Sequence, residues 1–206
     1  MTDFLTEFPR AYWDRDTSVI FRKTNEEFGG LSNMAAGYPI EIHGELWRTS
    51  EALYQALRFP GHPEVQQEIR NEKSPMAAKM KSKPHRASKS RQDWELVRVD
   101  LMYWCLEVKL YQNHSKFCDL LRSTGTQDIV ESSSKDNFWG AIDQTSGSLY
   151  GQNVLGRLLM RLRSRARADA WGVSLPNQPR VDLRLLGRTV DSSALSQQPY
   201  DGTLGI

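Results

Sequence analysis

The stretch DWELVRVDLMYWCLEVKLYQ, residues 93–112, carries a helical periodicity. Trp94, Val97, Leu101, Trp104, Cys105 and Val108 recur at steps of three and four, which lines them along one face of an α-helix and predicts the central helix of the fold. Upstream, Thr49-Ser50 are good helix caps, and Leu53, Ala56 and Leu57 give residues 51–59 the same periodicity before Pro60-Gly61 ends it. A second helix is expected over 63–71. A third starts at Ser74-Pro75, with proline at its favoured first position. Downstream, residues 115–122 read as a helix stopped by Ser123-Thr124-Gly125, and residues 128–131 as a short strand. The last strong helix is marked by Val154, Leu155, Leu158, Leu159 and Leu162, with arginines on its other face. Val19-Ile20-Phe21, the alternating Pro39 to Gly44 and a patch from Val181 to Leu186 add further β character. The expected fold is mainly α with a small β element (α+β): one domain over 18–168, an N-terminal extension over 1–17, and a C-terminal tail or surface arm over 169–206.

Composition narrows the function classes. The 206 residues carry 27 Lys+Arg against 25 Asp+Glu, a net +2, so attraction to polyanions must arise from local patches. The two cysteines, Cys105 and Cys118, form no CxxC or Cys/His cluster, and the four histidines have no ligand spacing, so neither a disulfide framework nor a metal centre is expected. The short signatures of P-loop, dinucleotide, serine-hydrolase and zinc-protease chemistry are missing from the sequence. With no secretory signal or apolar run of membrane-spanning length, the expectation is a cytoplasmic protein without membrane partners.

Three clusters carry candidate chemistry. Phe28-Gly29-Gly30-Leu31-Ser32-Asn33-Met34 is either an ordinary connection or a turn whose amides and polar side chains meet a ligand. Glu51 falls in the first turn of the 51–59 helix, where the macrodipole favours a carboxylate whether or not it does chemistry. Residues 129–140, ending Asp136-Asn137-Phe138-Trp139-Gly140, lead to Gly151-Gln152-Asn153-Val154-Leu155-Gly156; the acid, the aromatic and the glycines suit ligand hydroxyls or phosphates, although Trp139 serves equally as a hydrophobic anchor. Residues 73–91 contain seven Lys or Arg and no acid, and Pro84 interrupts any helix there, so a basic loop is expected. Such a run either keeps a surface solvated or, with Trp94 beside it, fits single-stranded nucleic acid.

Read together, these blocks resemble the NADAR, or YbiA-like, family over residues 18–166. The resemblance is carried by Phe28 to Met34, by Ser50-Glu51-Ala52-Leu53-Tyr54-Gln55-Ala56, by Ser74-Pro75-Met76-Ala77-Ala78-Lys79, by Asp93-Trp94, by Lys109-Leu110-Tyr111-Gln112-Asn113, by Asp136 to Gly140 and by Gly151 to Gly156. It implies a small α-rich domain that cleaves N-glycosidic bonds to ribose phosphates without a cofactor or metal. Phe21-Arg22-Lys23-Thr24 and Ser50-Glu51-Ala52 look like the branch that removes ADP-ribose from guanine in DNA, as an antitoxin to an ADP-ribosyltransferase. The alternatives are the branch that hydrolyses riboflavin-pathway intermediates, or a non-catalytic reader of ADP-ribose. The resemblance makes Lys23 the expected nucleophile, activated by burial or by Arg22, with Glu51 and Asp136 as the two candidate proton donors. Trp94 and Trp139 would flank the substrate; Gly30, Ser32, Asn33, Gly140, Asn153 and Gly156 would hold its hydroxyls and diphosphate. Lys81, Lys83 and Arg86 would hold the DNA strand. The expected partners are ADP-ribosylated, preferably single-stranded DNA or an ADP-ribose-containing nucleotide, and the cognate transferase.

Overall fold

The computed structural model describes residues 7–195. In chain order its elements are β1 (Ala11–Asp14), β2 (Ser18–Phe21), β3 (Ile40–Ile42), β4 (Glu45–Trp47), α1 (Ser50–Leu57), α2 (Pro63–Asn71), α3 (Pro75–Ser82), α4 (Arg86–Lys89), α5 (Trp94–Gln112), α6 (His114–Ser123), β5 (Asp128–Ser133), β6 (Ala141–Asp143), β7 (Ser148–Gly151), α7 (Val154–Ala168), β8 (Arg184–Leu185) and β9 (Arg188–Thr189). The fold is α+β, and the described chain divides into two compact units, residues 7–32 with 118–172 and residues 33–117 with 173–195.

The first unit is a mixed five-stranded sheet in the order β1-β7-β6-β5-β2 with α7 packed on β5. β2 and β6 run parallel to β5, whereas β7 is antiparallel to both β6 and β1. Trp13, Val130, Ala141 and Leu149 are buried together, with Met160 of α7 packed against them, and Leu155, Leu158, Leu159 and Leu162 close the helix side. Burying one such leucine contributes roughly 1.5–3 kcal/mol. The expected N-terminal extension contains β1, whose alternation puts Trp13 in the core and Tyr12 in solvent. Strands of three or four residues are too short to give a period in the text, which is why β1, β6 and β7 were not anticipated.

The second unit is built around α1, every residue of which is buried beneath α2, α3 and α5. Thr49 caps it, its hydroxyl accepting from the Ala52 amide at 3.2 Å. β3 and β4 form a hairpin whose two turn residues, His43 and Gly44, both have positive φ (56° and 79°), a geometry that suits the strand twist and that glycine adopts without strain. Residues 173–195 return to this unit. Its β8–β9 hairpin is held by Gln66, whose amide donates to the Ala56 and Arg184 carbonyls and whose oxygen accepts from Leu186, while Leu183, Leu185 and Val190 are buried.

One expectation is corrected here. Residues 75–89 are not a loop: α3, capped by Ser74, runs into a 3-10 turn (Lys83–His85) that accommodates Pro84 near its start, and then into α4. Among the described residues no helix is long and apolar enough to cross a membrane.

Candidate active site

In the second unit the chemistry centres on Glu51. Only 3% exposed, its carboxylate accepts from Asn33 Nδ2 at 2.5 Å on one oxygen and from Gln55 Nε2 at 2.9 Å on the other. The two backbones are tied as well, the Glu51 amide donating to the Asn33 carbonyl at 2.9 Å. Gln55 is fixed from behind: its oxygen accepts from Ser82 Oγ at 2.7 Å and from Arg86 Nη2 at 3.1 Å, which leaves its amide hydrogens for Glu51. Burial pushes the Glu51 carboxyl above its ordinary value, against the opposing influence of Lys79, Gln55, Arg86 and Asn33 in that order. Around it lie Tyr54 and Cys105, whose hydroxyl and thiol burial holds strongly protonated, with the Glu51 charge pushing the same way. A carboxyl whose proton affinity burial raises and that has two fixed donors ready for its anion is equipped to give a proton up and to take one back.

The first unit holds the other candidates in a different manner. Asp136 is half-buried and its Oδ1 accepts from the Phe138 and Trp139 amides at 3.0 and 2.9 Å, so the carboxylate shapes the turn. Trp139 is half-buried and meets Phe138 edge-on at 5.1 Å. Asn153, fully buried and with a left-handed φ of 50°, spends its side chain on β5: Nδ2 donates to the Ile129 carbonyl at 2.8 Å and Oδ1 accepts from the Glu131 amide at 3.1 Å. A Cβ on Gly156 would stand 2.0 Å from the Ile129 carbonyl oxygen, and one on Gly140 would stand 2.6 Å from that of Glu131. These residues close α7 onto β5. Lys23 follows β2 with its side chain 70% exposed and its ammonium 3.9 Å from Glu26.

The model of the NADAR domain matches residues 20–167. The chain belongs to the NADAR family. The N-glycosidase YbiA of Escherichia coli (strain K12) is 35% identical over 151 residues, covering 73% of this chain and 89% of YbiA. The chloroplastic riboflavin biosynthesis protein PYRR of Zea mays is 35% identical over 166 residues, covering 72% of this chain and 25% of that protein. The NMR structure of E. coli YbiA superposes with a TM-score of 0.62 at 30% identity, over 80% of this chain and 92% of that one, so the fold is YbiA-like.

Within this NADAR domain the structure joins Asn33 to Glu51 directly and brings in Arg86 through Gln55. The other expected site residues stand in different surroundings. Lys23 lacks the burial expected to activate it, and the charged group facing it is the Glu26 carboxylate; Arg22 is exposed. Trp94 offers no open stacking face: it is buried, 5.2 Å from the Tyr54 ring and covered by the Arg58 guanidinium at 4.5 Å. Asn153, Gly140 and Gly156 have packing partners where ligand contacts were expected, and the glycine that the Phe28–Met34 turn demands is Gly29, whose Cβ would meet the Thr24 carbonyl at 2.4 Å, while Gly30 is half-buried and Ser32 buried. Of the residues expected to hold DNA, Lys81 pairs with Glu72 at 3.5 Å and Arg86 turns inward to Ser82 and Gln55, which leaves Lys83 exposed. Gln55, Ser82 and Lys79 were missed as site residues. The signal for Gln55 was its place one turn after Glu51; the signal for the other two was hidden by reading their segment as a loop. Among the described residues no group of His, Cys, Asp and Glu is placed to hold a metal ion.

Proposed function

We propose that the chain is a YbiA-like N-glycosidase, a hydrolase of N-glycosidic bonds, acting on a small N-riboside of the riboflavin pathway. The observation that carries this reading is the buried Glu51 carboxyl with Asn33 and Gln55 donating to its two oxygens. Breaking the C1–N bond of a riboside builds positive charge on the sugar and requires a proton at the departing nitrogen. Glu51 donates that proton. Its new carboxylate is received by the Asn33 and Gln55 amides and by the fields of Lys79 and Arg86. Water adds its oxygen to C1 and returns a proton to Glu51, so that riboside plus water gives free amine plus ribose. Glu51 is chosen over Asp136 because the Asp136 Oδ1 is engaged by two turn amides. The relatives named N-glycosidase and riboflavin biosynthesis protein support the substrate class.

The second reading, removal of ADP-ribose from guanine in single-stranded DNA as an antitoxin to a DNA-modifying ADP-ribosyltransferase, is favoured by the exposure of Lys23, which leaves its amine open to a macromolecular substrate. Here the Lys23 amine displaces the guanine nitrogen from C1, the ribose opens to an imine, and water hydrolyses the imine to release ADP-ribose.

Incubation with N-ribosylated riboflavin intermediates and, separately, with an ADP-ribosylated single-stranded oligonucleotide tests both, with products read by mass spectrometry. Release from the intermediates alone, abolished by Glu51→Gln, is expected. Release from the oligonucleotide with a borohydride-trapped Lys23 adduct would replace the first reading by the second. No release from either would leave the non-catalytic reader of ADP-ribose.

A further inference from the structure

The start of α1 carries more hydroxyls than its backbone uses. Thr49 caps the helix, its hydroxyl accepting from the Ala52 amide at 3.2 Å and its carbonyl from the Leu53 amide at 3.2 Å, while the Glu51 amide donates to the Asn33 carbonyl at 2.9 Å. The hydroxyl of Ser50, the first residue of the helix, takes no part in these bonds. Ser50 is 1% exposed, and its Oγ has no hydrogen-bond partner among the described residues. Other buried hydroxyls are spent inside the fold: Ser82 Oγ donates to Gln55 at 2.7 Å, and Thr124 Oγ1 donates to the Leu121 carbonyl at 2.7 Å. A buried hydroxyl without a partner destabilises a protein relative to alanine at the same place, because the hydration it loses is not replaced. The fold by itself has no use for a serine at 50. The indole N–H groups of Trp47 and Trp104 are also buried and unpartnered in this unit, but an indole only donates, whereas a hydroxyl donates and accepts, as a sugar hydroxyl does.

Position decides what this hydroxyl serves. Ser50 immediately precedes Glu51 in the first turn of α1, so a ligand that reaches the acid stands beside the serine. Successive side chains on a helix diverge by about 100°, which separates the two heads by more than one hydrogen bond and leaves a short ligand fragment room between them. An N-riboside offers such a fragment: the nitrogen on C1, which takes the Glu51 proton, and the hydroxyl on the adjacent C2. Hydrogen bonds to that hydroxyl strengthen as positive charge builds on the sugar. We propose that Ser50 Oγ recognises the 2-hydroxyl of the ribosyl group while Glu51 serves the nitrogen on C1, which makes Ser50 the residue that selects ribosides over 2-deoxyribosides. This deepens the N-glycosidase reading and rests on it for the bond that Glu51 attends. The selection follows from burial: with a riboside bound Oγ gains a partner, whereas a 2-deoxyriboside leaves it enclosed and unpaired.

Thermal melts and kinetics of the full-length protein test this together. Ser50→Ala is expected to melt no lower than wild type, whereas Thr49→Ala, which gives up the cap, melts lower. The same Ser50→Ala is expected to lower kcat/KM for the N-ribosylated riboflavin intermediate by about tenfold or more, and to leave kcat/KM for its 2-deoxyribosyl analogue within about twofold of wild type, a loss of discrimination that a merely structural serine would not produce. Calorimetric titration with ribose 5-phosphate and 2-deoxyribose 5-phosphate reads the contact without turnover, the ribo sugar being favoured by wild type and not by Ser50→Ala. A melting temperature lowered by Ser50→Ala would mean that the hydroxyl is bonded within the fold and overturns the proposal, as does a ribo preference that survives in that variant. Turnover lost in Glu51→Gln, with the ribo preference unchanged in Ser50→Ala, removes the hydroxyl contact and leaves the acid. Absence of turnover in wild type, with a Ser50-dependent preference for ribose 5-phosphate, removes the hydrolase reading and leaves the contact.

Discussion

The Glu51 region and the Asn153 region are both built from buried polar side chains within stretches that resemble family motifs, yet they spend those side chains differently. Around Asn153 each bond ends on backbone: the Ile129 carbonyl, the Glu131 amide and, through Asp136, the amides of Phe138 and Trp139. Around Glu51 the bonds run from side chain to side chain, Asn33 to Glu51 to Gln55 to Ser82 and Arg86, and end on a carboxyl whose burial opposes its charge. A polar group that satisfies backbone lowers the energy of one fold. One that is turned toward an acid holds that acid in a state the fold alone does not need.

The sharpest way to break this contrast is to remove the acid's proton. Glu51→Gln keeps shape and lowers kcat by about 10²–10⁴-fold, the usual worth of general acid catalysis, with the protein still folded by circular dichroism. Full activity in that variant would reduce the Glu51 cluster to the same architectural rank as Asn153. The next effect is on stability. Gly156→Ala places a methyl 2.0 Å from the Ile129 carbonyl oxygen and within 2.6 Å of both polar atoms of the Asn153 side chain, so α7 must shift off β5, at a cost of about 3 kcal/mol in urea unfolding. Asn153→Ala removes the side-chain bonds to the Ile129 carbonyl and the Glu131 amide and gives the left-handed backbone a residue that dislikes it, for about 2 kcal/mol. In both variants the activity of the molecules that remain folded is expected to stay within a few-fold of wild type, and a loss as deep as that of Glu51→Gln would return Asn153 to the ligand.

The helices were legible because their signals are local. Leu53, Ala56 and Leu57 in α1 and Trp94 through Val108 in α5 repeat with the helix itself, and Thr49 and Ser74 are caps in fact as in sequence. Glu51 and Asn33 were legible as motif residues, but their contact, across eighteen positions, was not. The glycines and Asn153 misled for a physical reason: a turn that needs close backbone approach has the same residues whether the approaching group is a ligand or the next strand. The basic run misled because Pro84 was taken as a helix breaker, whereas at the start of a 3-10 turn it costs no hydrogen bond; with the helix restored, the cations separate onto two faces.

The smallest expected effect tests the Glu51 side of the contrast by itself. A carboxyl whose proton affinity is raised on folding binds more protons in the native state than in the unfolded one, over the interval between the ordinary carboxylate value and its higher folded value. Stability therefore falls as pH rises through that interval and is level on either side of it. Glutamine at 51 has no proton to lose, so the Tm of Glu51→Gln minus that of wild type is expected to grow from about pH 4 upward and then level off at the folded value. The absolute difference at one pH also contains the changed hydrogen bonds to Asn33 and Gln55, but those do not vary with pH in this range, and only the slope reports on the proton. Melts of both proteins between pH 4 and 8 supply that slope. A difference that shrinks as pH rises would mean that the donors Asn33 and Gln55, with Lys79 and Arg86, outweigh burial; Glu51 would then be a stabilised carboxylate, bonded as fully as Asn153 and as unsuited to giving up a proton.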